Sequence, residues 1–230
     1  MSLRLDWCTH KAAKYACERW HYSQSVPTPP LVKIGVWEDE RFNGCVLFGR
    51  GTTGNLGQRF GLGQTEACEL VRIALRQHQA PVTRIVSIAL RLLKQASPGL
   101  RCVISFADPN QGHEGRIYQA GNWVYTGATG GSVEYVDTVG RRWHSRQVSN
   151  RGWNIQYGER RLVTRTDACR RVRLLGKHRY VMPLDRAMCE QLKAHAQPYP
   201  IRAPEALVAV CSPHQARGGG AAPTPALSLT

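Results

Sequence analysis

The middle of the chain constrains the fold most, because two apolar runs there flank an amphipathic stretch. Cys68-Glu-Leu-Val-Arg-Ile-Ala-Leu75 alternates and then turns apolar, as a central strand does. Leu100-Arg-Cys-Val-Ile-Ser-Phe106 reads as a second buried strand. Between them, Pro81 to Gln95 places Val82, Ile85, Ile88, Ala89 and Leu92 on one helical face, and proline suits a first helical turn. A strand, a helix and a strand in this order require an α/β domain.

The flanking sequence extends the pattern. His10 to Trp20 aligns Ala13, Ala16, Cys17 and Trp20 at helical spacing and reads as a first helix. Val26-Pro-Thr-Pro-Pro30 cannot be helical, since each proline restricts the residue before it and removes a donor, so it is an extended linker. Leu31 to Trp37 and Gly44 to Gly49 read as an antiparallel hairpin turning at Glu38 to Arg41. Six glycines between Gly49 and Gly63 mark a loop. His113 to Ala120 is a short helix stopped by Gly121, Trp123 to Thr126 a further strand, and Val133 to Val136 a strand pairing near it. The sum is a mixed central sheet flanked by helices.

Charge separates the two halves. The chain carries 31 Lys+Arg against 16 Asp+Glu, a net +15. Residues 141–180 hold twelve basic and two acidic side chains, so about ten of those net charges sit there. Such a field attracts polyanions. Arg141, Arg142, Arg146, Arg151, Arg160, Arg161, Arg170, Arg171 and Arg173 can hold phosphates, and Trp143, Trp153 and Tyr157 among them can stack on an exposed base. We expect double-stranded DNA as the partner; a solvated basic surface is the plainer alternative. The expected division is a catalytic core over 1–140, a basic extension packed on it over 141–200, and a disordered Ala/Pro/Gly-rich tail over 201–230. No apolar run approaches the roughly 20 residues that span a bilayer, and no signal-peptide core opens the chain, so a cytosolic protein with no membrane partner is expected. The eight cysteines include no Cys-x-x-Cys pair, which favours free thiols over zinc.

Two resemblances sharpen this. Residues 69–126 run strand, turn, helix, strand, short helix, strand, similar to the coenzyme-binding half of the GNAT acetyltransferases, and Ile117-Tyr-Gln-Ala-Gly-Asn-Trp123 resembles a stretch of that superfamily. The likeness implies a GNAT-like fold, acetyl-CoA or another activated donor, and donor contacts at Val71, Ile73, Arg76 and Thr83. It also implies an acid role for Tyr118. One departure stands out: the superfamily's Arg/Gln-x-x-Gly-x-Gly/Ala turn is here Arg76-Gln-His-Gln-Ala-Pro-Val82, with no glycine. Glycine lets backbone amides approach phosphate, although a helix N-terminus over Ala80 to Thr83 can still receive an anion.

The second resemblance is carried by Trp20-His-Tyr-Ser23, Ser25 to Trp37, Val46-Leu-Phe-Gly-Arg50, Glu69 to Leu75, Ser105-Phe-Ala-Asp-Pro109 and Lys177-His-Arg-Tyr180. Together they resemble the Mom family of phage DNA-modification proteins over roughly residues 5 to 200. That implies an enzyme acting in the infected bacterium. It would convert adenine in duplex DNA to N6-carbamoylmethyladenine and so evade restriction. An ordinary acetyltransferase on a small molecule or protein, and a non-catalytic DNA-binding protein, are the rival readings.

The chemistry asks for a proton acceptor beside the adenine amine. Ser105 and Asp108 stand at the carboxyl end of a central strand, where ligands bind in such sheets; Asp108 is either that acceptor or the cap of an Asp-Pro-Asn turn. His21 and Tyr22 are an adenine-binding pair or, for His21, an iron ligand; the alternative is packing at a helix end. Tyr118 is an acid or a core tyrosine. Glu69 and Arg72 differ by three along one strand, which sets them on opposite faces unless a bulge intervenes. Arg72 is the favoured site residue, with a sheet-face ion pair as its alternative. The donor's identity and the oligomeric state are not legible in the sequence.

Overall fold

A computed structural model describes residues 2–28, 30–51, 54–145, 148 and 169–200, and only the backbone of 154–156 and 159–161. Arg146, Arg151, Trp153, Tyr157 and the tail 201–230 lie outside the described residues.

Seven strands form the central sheet. They are β1 (Leu3–Trp7), β2 (Leu31–Glu38), β3 (Arg41–Gly49), β4 (Ala67–Leu75), β5 (Cys102–Ala107), β6 (Val124–Ala128) and a late strand, β12 (His178–Pro183). Their order is β1-β2-β3-β4-β5-β12-β6. Only β4 and β5 pair in parallel; every other neighbour is antiparallel. The mixed α/β sheet expected from the sequence is therefore present. A second sheet of three strands joins β7 (Ser132–Val136) to β8 (Arg142–His144) on one side and β11 (Arg170–Leu174) on the other. Two short strands, β9 (Asn154–Gln156) and β10 (Glu159–Arg161), pair with each other.

The differences from the sequence reading lie mostly in this later part. Val133 to Val136 pairs in the small sheet rather than beside β6. His178 to Pro183, assigned to the basic extension, is a central strand inserted between β5 and β6. β1, on the outer edge of the sheet, and α4 (Arg186–Lys193) also escaped the sequence reading.

Helices cover both faces. α1 (His10–Trp20) starts where the Thr9 hydroxyl accepts from the Ala12 amide, and it buries Ala13, Ala16 and Cys17. These pack on Cys45, Leu47 and Ala74. α4 covers the same face further along, Met188 and Leu192 meeting Ile104 and Val181. α2 (Val82–Ala96) covers the other face with Ile85, Val86, Ala89, Leu90 and Leu93. That stripe is rotated from the expected one, so Ile88 and Leu92 flank it rather than centre it. α3 (Arg116–Ala120) is shorter than expected because Gly115 breaks the chain in the left-handed region at φ +81°. A Cβ on Gly115 would stand 2.3 Å from the Tyr180 ring, so only glycine fits. Tyr180, fully buried on β12, contacts Tyr118 and Tyr125 at ring separations of 5.2 and 5.3 Å. Pairs of this kind are worth roughly 0.5–1.5 kcal/mol each beyond burial, and these anchor α3 against the sheet.

Candidate functional site

The site grows from a split in the central sheet. β4 and β5 pair only at Ala67–Cys102, Cys68–Val103 and Glu69–Ile104. β4 then follows β3 to Leu75, and β5 follows β12 to Ala107. Two strand edges therefore face each other with backbone groups that the ladder does not satisfy, and such groups need other partners. Ser105 supplies one: its hydroxyl donates to the Leu70 carbonyl at 2.9 Å.

Glu69 and Arg72 share a face, contrary to the plain alternation. Leu47 pairs with Arg72 and Phe48 with Leu70, so Val71 is an extra residue, a β-bulge. Packing confirms the shift: Leu70 and Ile73 both join the core under α2, whereas Val71 and Ala74 both pack toward α1. Glu69 and Arg72 thus both turn toward α1. The Arg72 Nη1 donates to the Val71 carbonyl at 2.8 Å, and its buried Nε has no hydrogen-bond partner.

Around them stand groups from three loops. Arg72 acts electrostatically on Glu69 and on His21. His21 follows α1; burial first, then Arg72 and His113, bring its imidazole down to about 4, so it is neutral at physiological pH. Its Nδ1 accepts from the Ser23 amide at 3.1 Å. Tyr22, 61% exposed, lies between the His21 and His113 rings at 4.3 and 5.3 Å. Burial raises the Glu69 carboxyl above its ordinary range, offset partly by Lys177 and Arg72. Among the described residues Glu69 has no hydrogen bond or ion pair.

Asp108 is engaged. Its Oδ1 accepts from the Asn110 amide and Nδ2 at 3.0 and 2.8 Å, capping a short 3-10 turn, and its Oδ2 lies 3.4 Å from the Lys177 ammonium. Two donors of Asn110 and the Lys177 ammonium thus occupy this carboxylate.

Tyr118 enters the split from the α2 face. Its hydroxyl is 2.7 Å from Ser105 Oγ. Burial pushes the phenol up to about 12, with the Ser105 hydrogen bond opposing and Tyr22, Glu69 and Tyr180 adding to the rise. Tyr118 is therefore protonated near neutral pH. Ser105 has one proton for two neighbours. Turned to Leu70 it can accept from Tyr118; turned to Tyr118 it stabilises a phenolate. Beside Tyr118 a cavity of about 630 Å³ opens between α2, α3 and β12, with Thr83, Arg84, Arg91 and Lys94 on its wall. Thr83 thus borders a cavity, whereas Val71 and Ile73 pack into the core clusters and Arg76 is exposed on the turn before α2.

Among the described residues no group of three His, Cys, Asp or Glu is placed to hold a metal, and His21 faces a guanidinium. Cys8, Cys17, Cys45, Cys68, Cys102 and Cys189 are free thiols.

On the small sheet, Arg170, Arg171 and Arg173 are exposed along the edge strand β11, and Arg142 bonds Glu134 at 2.7 Å. Arg141 is partly buried beside them in sequence, and Trp143 is fully buried, donating to Asp137 at 3.0 Å, so it is core rather than a stacking platform.

A model of the Mom protein family matches residues 2–201 of the chain. The chain belongs to the Mom family. It is 26% identical over 211 residues to the methylcarbamoylase mom of Escherichia phage Mu, covering 86% of this chain and 83% of that one. Among solved structures it is similar to the spermidine/spermine N-acetyltransferase SpeG from Vibrio cholerae, at 10% identity and a TM-score of 0.44 over 84% of this chain and 99% of that one. A Bacillus subtilis acetyltransferase in complex with CoA gives 10% identity and a TM-score of 0.41 over 80% and 100%.

In this Mom-family protein the split gathers His21, Tyr22, Arg72, Ser105 and Tyr118, all singled out from sequence. Asp108 stands at its edge through Lys177. Sequence reasoning passed over His113 and Lys177 and set Glu69 aside. Lys177 opens one of the stretches that carry the family resemblance, whereas no local signal marks His113. For Glu69 the signal was the charge itself, placed next to an arginine within a strand otherwise apolar.

Proposed function

We propose that the protein transfers a carbamoylmethyl group to N6 of adenine in double-stranded phage DNA, inside the infected bacterium, and so masks that DNA from restriction enzymes. Family membership and the methylcarbamoylase relative support the reaction class. The observation that carries the mechanism is the split sheet, which offers an unpaired carboxylate on one side and a protonated phenol on the other.

An adenine in a duplex must leave the stack to be reached. Exposed Tyr22, backed by His21 and His113, is a flat surface for the extruded base, and the exposed arginines of β11 are available to hold phosphates. The N6 amine is a poor nucleophile until it can shed a proton. Glu69, whose carboxyl burial raises above its ordinary range and which has no side-chain hydrogen bond among the described residues, accepts that proton. The nitrogen forms a bond to the methylene carbon of an activated carbamoylmethyl donor. The bond from that carbon to the carrier breaks, its electron pair leaves with the carrier, and Tyr118 delivers a proton there. Ser105 then turns its hydroxyl to the phenolate. Asp108 acts as a positioning residue that holds Lys177 near Glu69.

The test is to express the protein in a bacterium, digest plasmid DNA to nucleosides and weigh the deoxyadenosine. A product heavier by one carbamoylmethyl group is expected. Unmodified DNA, with an acetylated small molecule or protein instead, would favour an ordinary acetyltransferase.

A further inference from the structure

The turn from β4 into α2 carries its own anion. Glu38, at the end of β2, is only 7% exposed. Its carboxylate accepts from the Gln79 amide at 3.1 Å (Oε1) and 3.0 Å (Oε2), from the Ala80 amide at 2.8 Å, and from Asn43 Nδ2 at 2.7 Å. Burial opposes the charge, but the Ala80 and Gln79 amides, nearby His78 and Asn43 outweigh it and hold the carboxyl below its ordinary range. Glu38 is thus a carboxylate at neutral pH.

Consecutive backbone amides just before a helix, together with the positive end of its dipole, form a seat for an anion. In a GNAT-like fold that turn is where the diphosphate of coenzyme A would be received. Here the seat is full. A diphosphate entering it has to expel Glu38, which leaves a buried carboxylate without donors next to the incoming charge, a costly exchange. The sequence fits the same picture: Gln79 and Pro81 stand where glycines would let a phosphate come close, and proline at position 81 offers no amide.

We infer that Glu38 is a built-in substitute for a bound phosphate, so that this protein does not hold coenzyme A by its diphosphate at the turn before α2. The donor is anchored elsewhere, and the turn has become a structural tie between β2, β3 and α2. This does not rest on the proposed DNA modification.

The experiment is a site-resolved titration of ¹⁵N-labelled full-length protein with coenzyme A and, separately, with inorganic pyrophosphate. In the wild type the Gln79 and Ala80 amide resonances are expected to stay in place at millimolar concentrations of either. In Glu38→Ala the emptied seat should admit pyrophosphate, and the same two resonances should shift saturably with at least tenfold higher affinity than in the wild type. Saturable shifts of these amides in the wild type on adding coenzyme A would overturn the inference, as would their indifference to pyrophosphate in a folded Glu38→Ala. Should that variant not fold, Glu38→Gln, which keeps an acceptor oxygen and loses the charge, replaces it, with the same criteria. The wild-type titration decides independently, and neither readout involves DNA.

Discussion

Two glutamates, Glu38 buried and Glu69 partly buried, have opposite surroundings. At the turn before α2, Glu38 receives hydrogen bonds from two backbone amides and an asparagine. In the split between β4 and β5, Glu69 has no such partner among the described residues. The first is held below its ordinary range and the second above it. A carboxylate whose lone pairs are all used is a fastener. One that is desolvated, with two cations offsetting only part of that cost and no hydrogen bond to its side chain, keeps its basicity for a reaction. The contrast assigns structure to one region and chemistry to the other.

The largest expected effect tests the second half. Glu69→Gln should lower adenine modification by about 100-fold or more, the usual scale for a lost base. Nucleoside mass spectrometry reads the loss; undiminished modification breaks the contrast. Tyr118→Phe should give a loss of about the same size, whereas Asp108→Ala should cost about 1 kcal/mol of stability as a lost cap and leave most activity. The reverse ranking would return the base role to Asp108.

Next comes Glu38→Ala, which strands two amides and Asn43. A loss of about 3 kcal/mol in urea unfolding is expected, with modification per folded molecule little changed. Smaller again is the effect of Arg171→Ala with Arg173→Ala: the slope of log affinity for duplex DNA against log salt should flatten by roughly 2, one unit for each lost phosphate contact.

The subtlest measurement is pH. Glu38, with its lowered value, contributes stability above the ordinary carboxylate range and loses that contribution as pH falls through its folded value. Glu69, with a raised value, does the opposite: it favours the fold below the ordinary range, and that contribution is lost as pH rises through its folded value. Modification should fall as acid protonates Glu69, at a higher pH than an ordinary glutamate would require, and a pH–rate profile lacking that limb would uncouple Glu69 from the reaction. His21, lowered to about 4, stays neutral across this window.

The β4–α2–β5 unit was legible because its periodicities are strong and local. The insertion of β12 was not, since nothing within His178–Pro183 says which strands it will join; that is decided by packing of Tyr180 under α3. The face shared by Glu69 and Arg72 was hidden by the bulge, which reverses alternation without a glycine or proline to announce it. Tyr118 and Ser105 were found from a strand end and a resemblance, but their 2.7 Å contact needed coordinates. Glu38 was read only as part of a hairpin turn, because its partners lie 41 and 42 residues away. Trp143 was misjudged for the reason aromatics often are: sequence alone does not tell a buried ring from an exposed one.

The place of β12 has one more consequence. The chain leaves the central sheet after Ala128 and is recaptured at His178, so the small sheet of β7, β8 and β11 belongs to an excursion whose two ends are held by the central sheet. Closing a longer loop adds only slowly, with the logarithm of its length, to the entropy cost. Such an excursion can therefore gain or lose residues at little entropic cost while its two footings stay as they are.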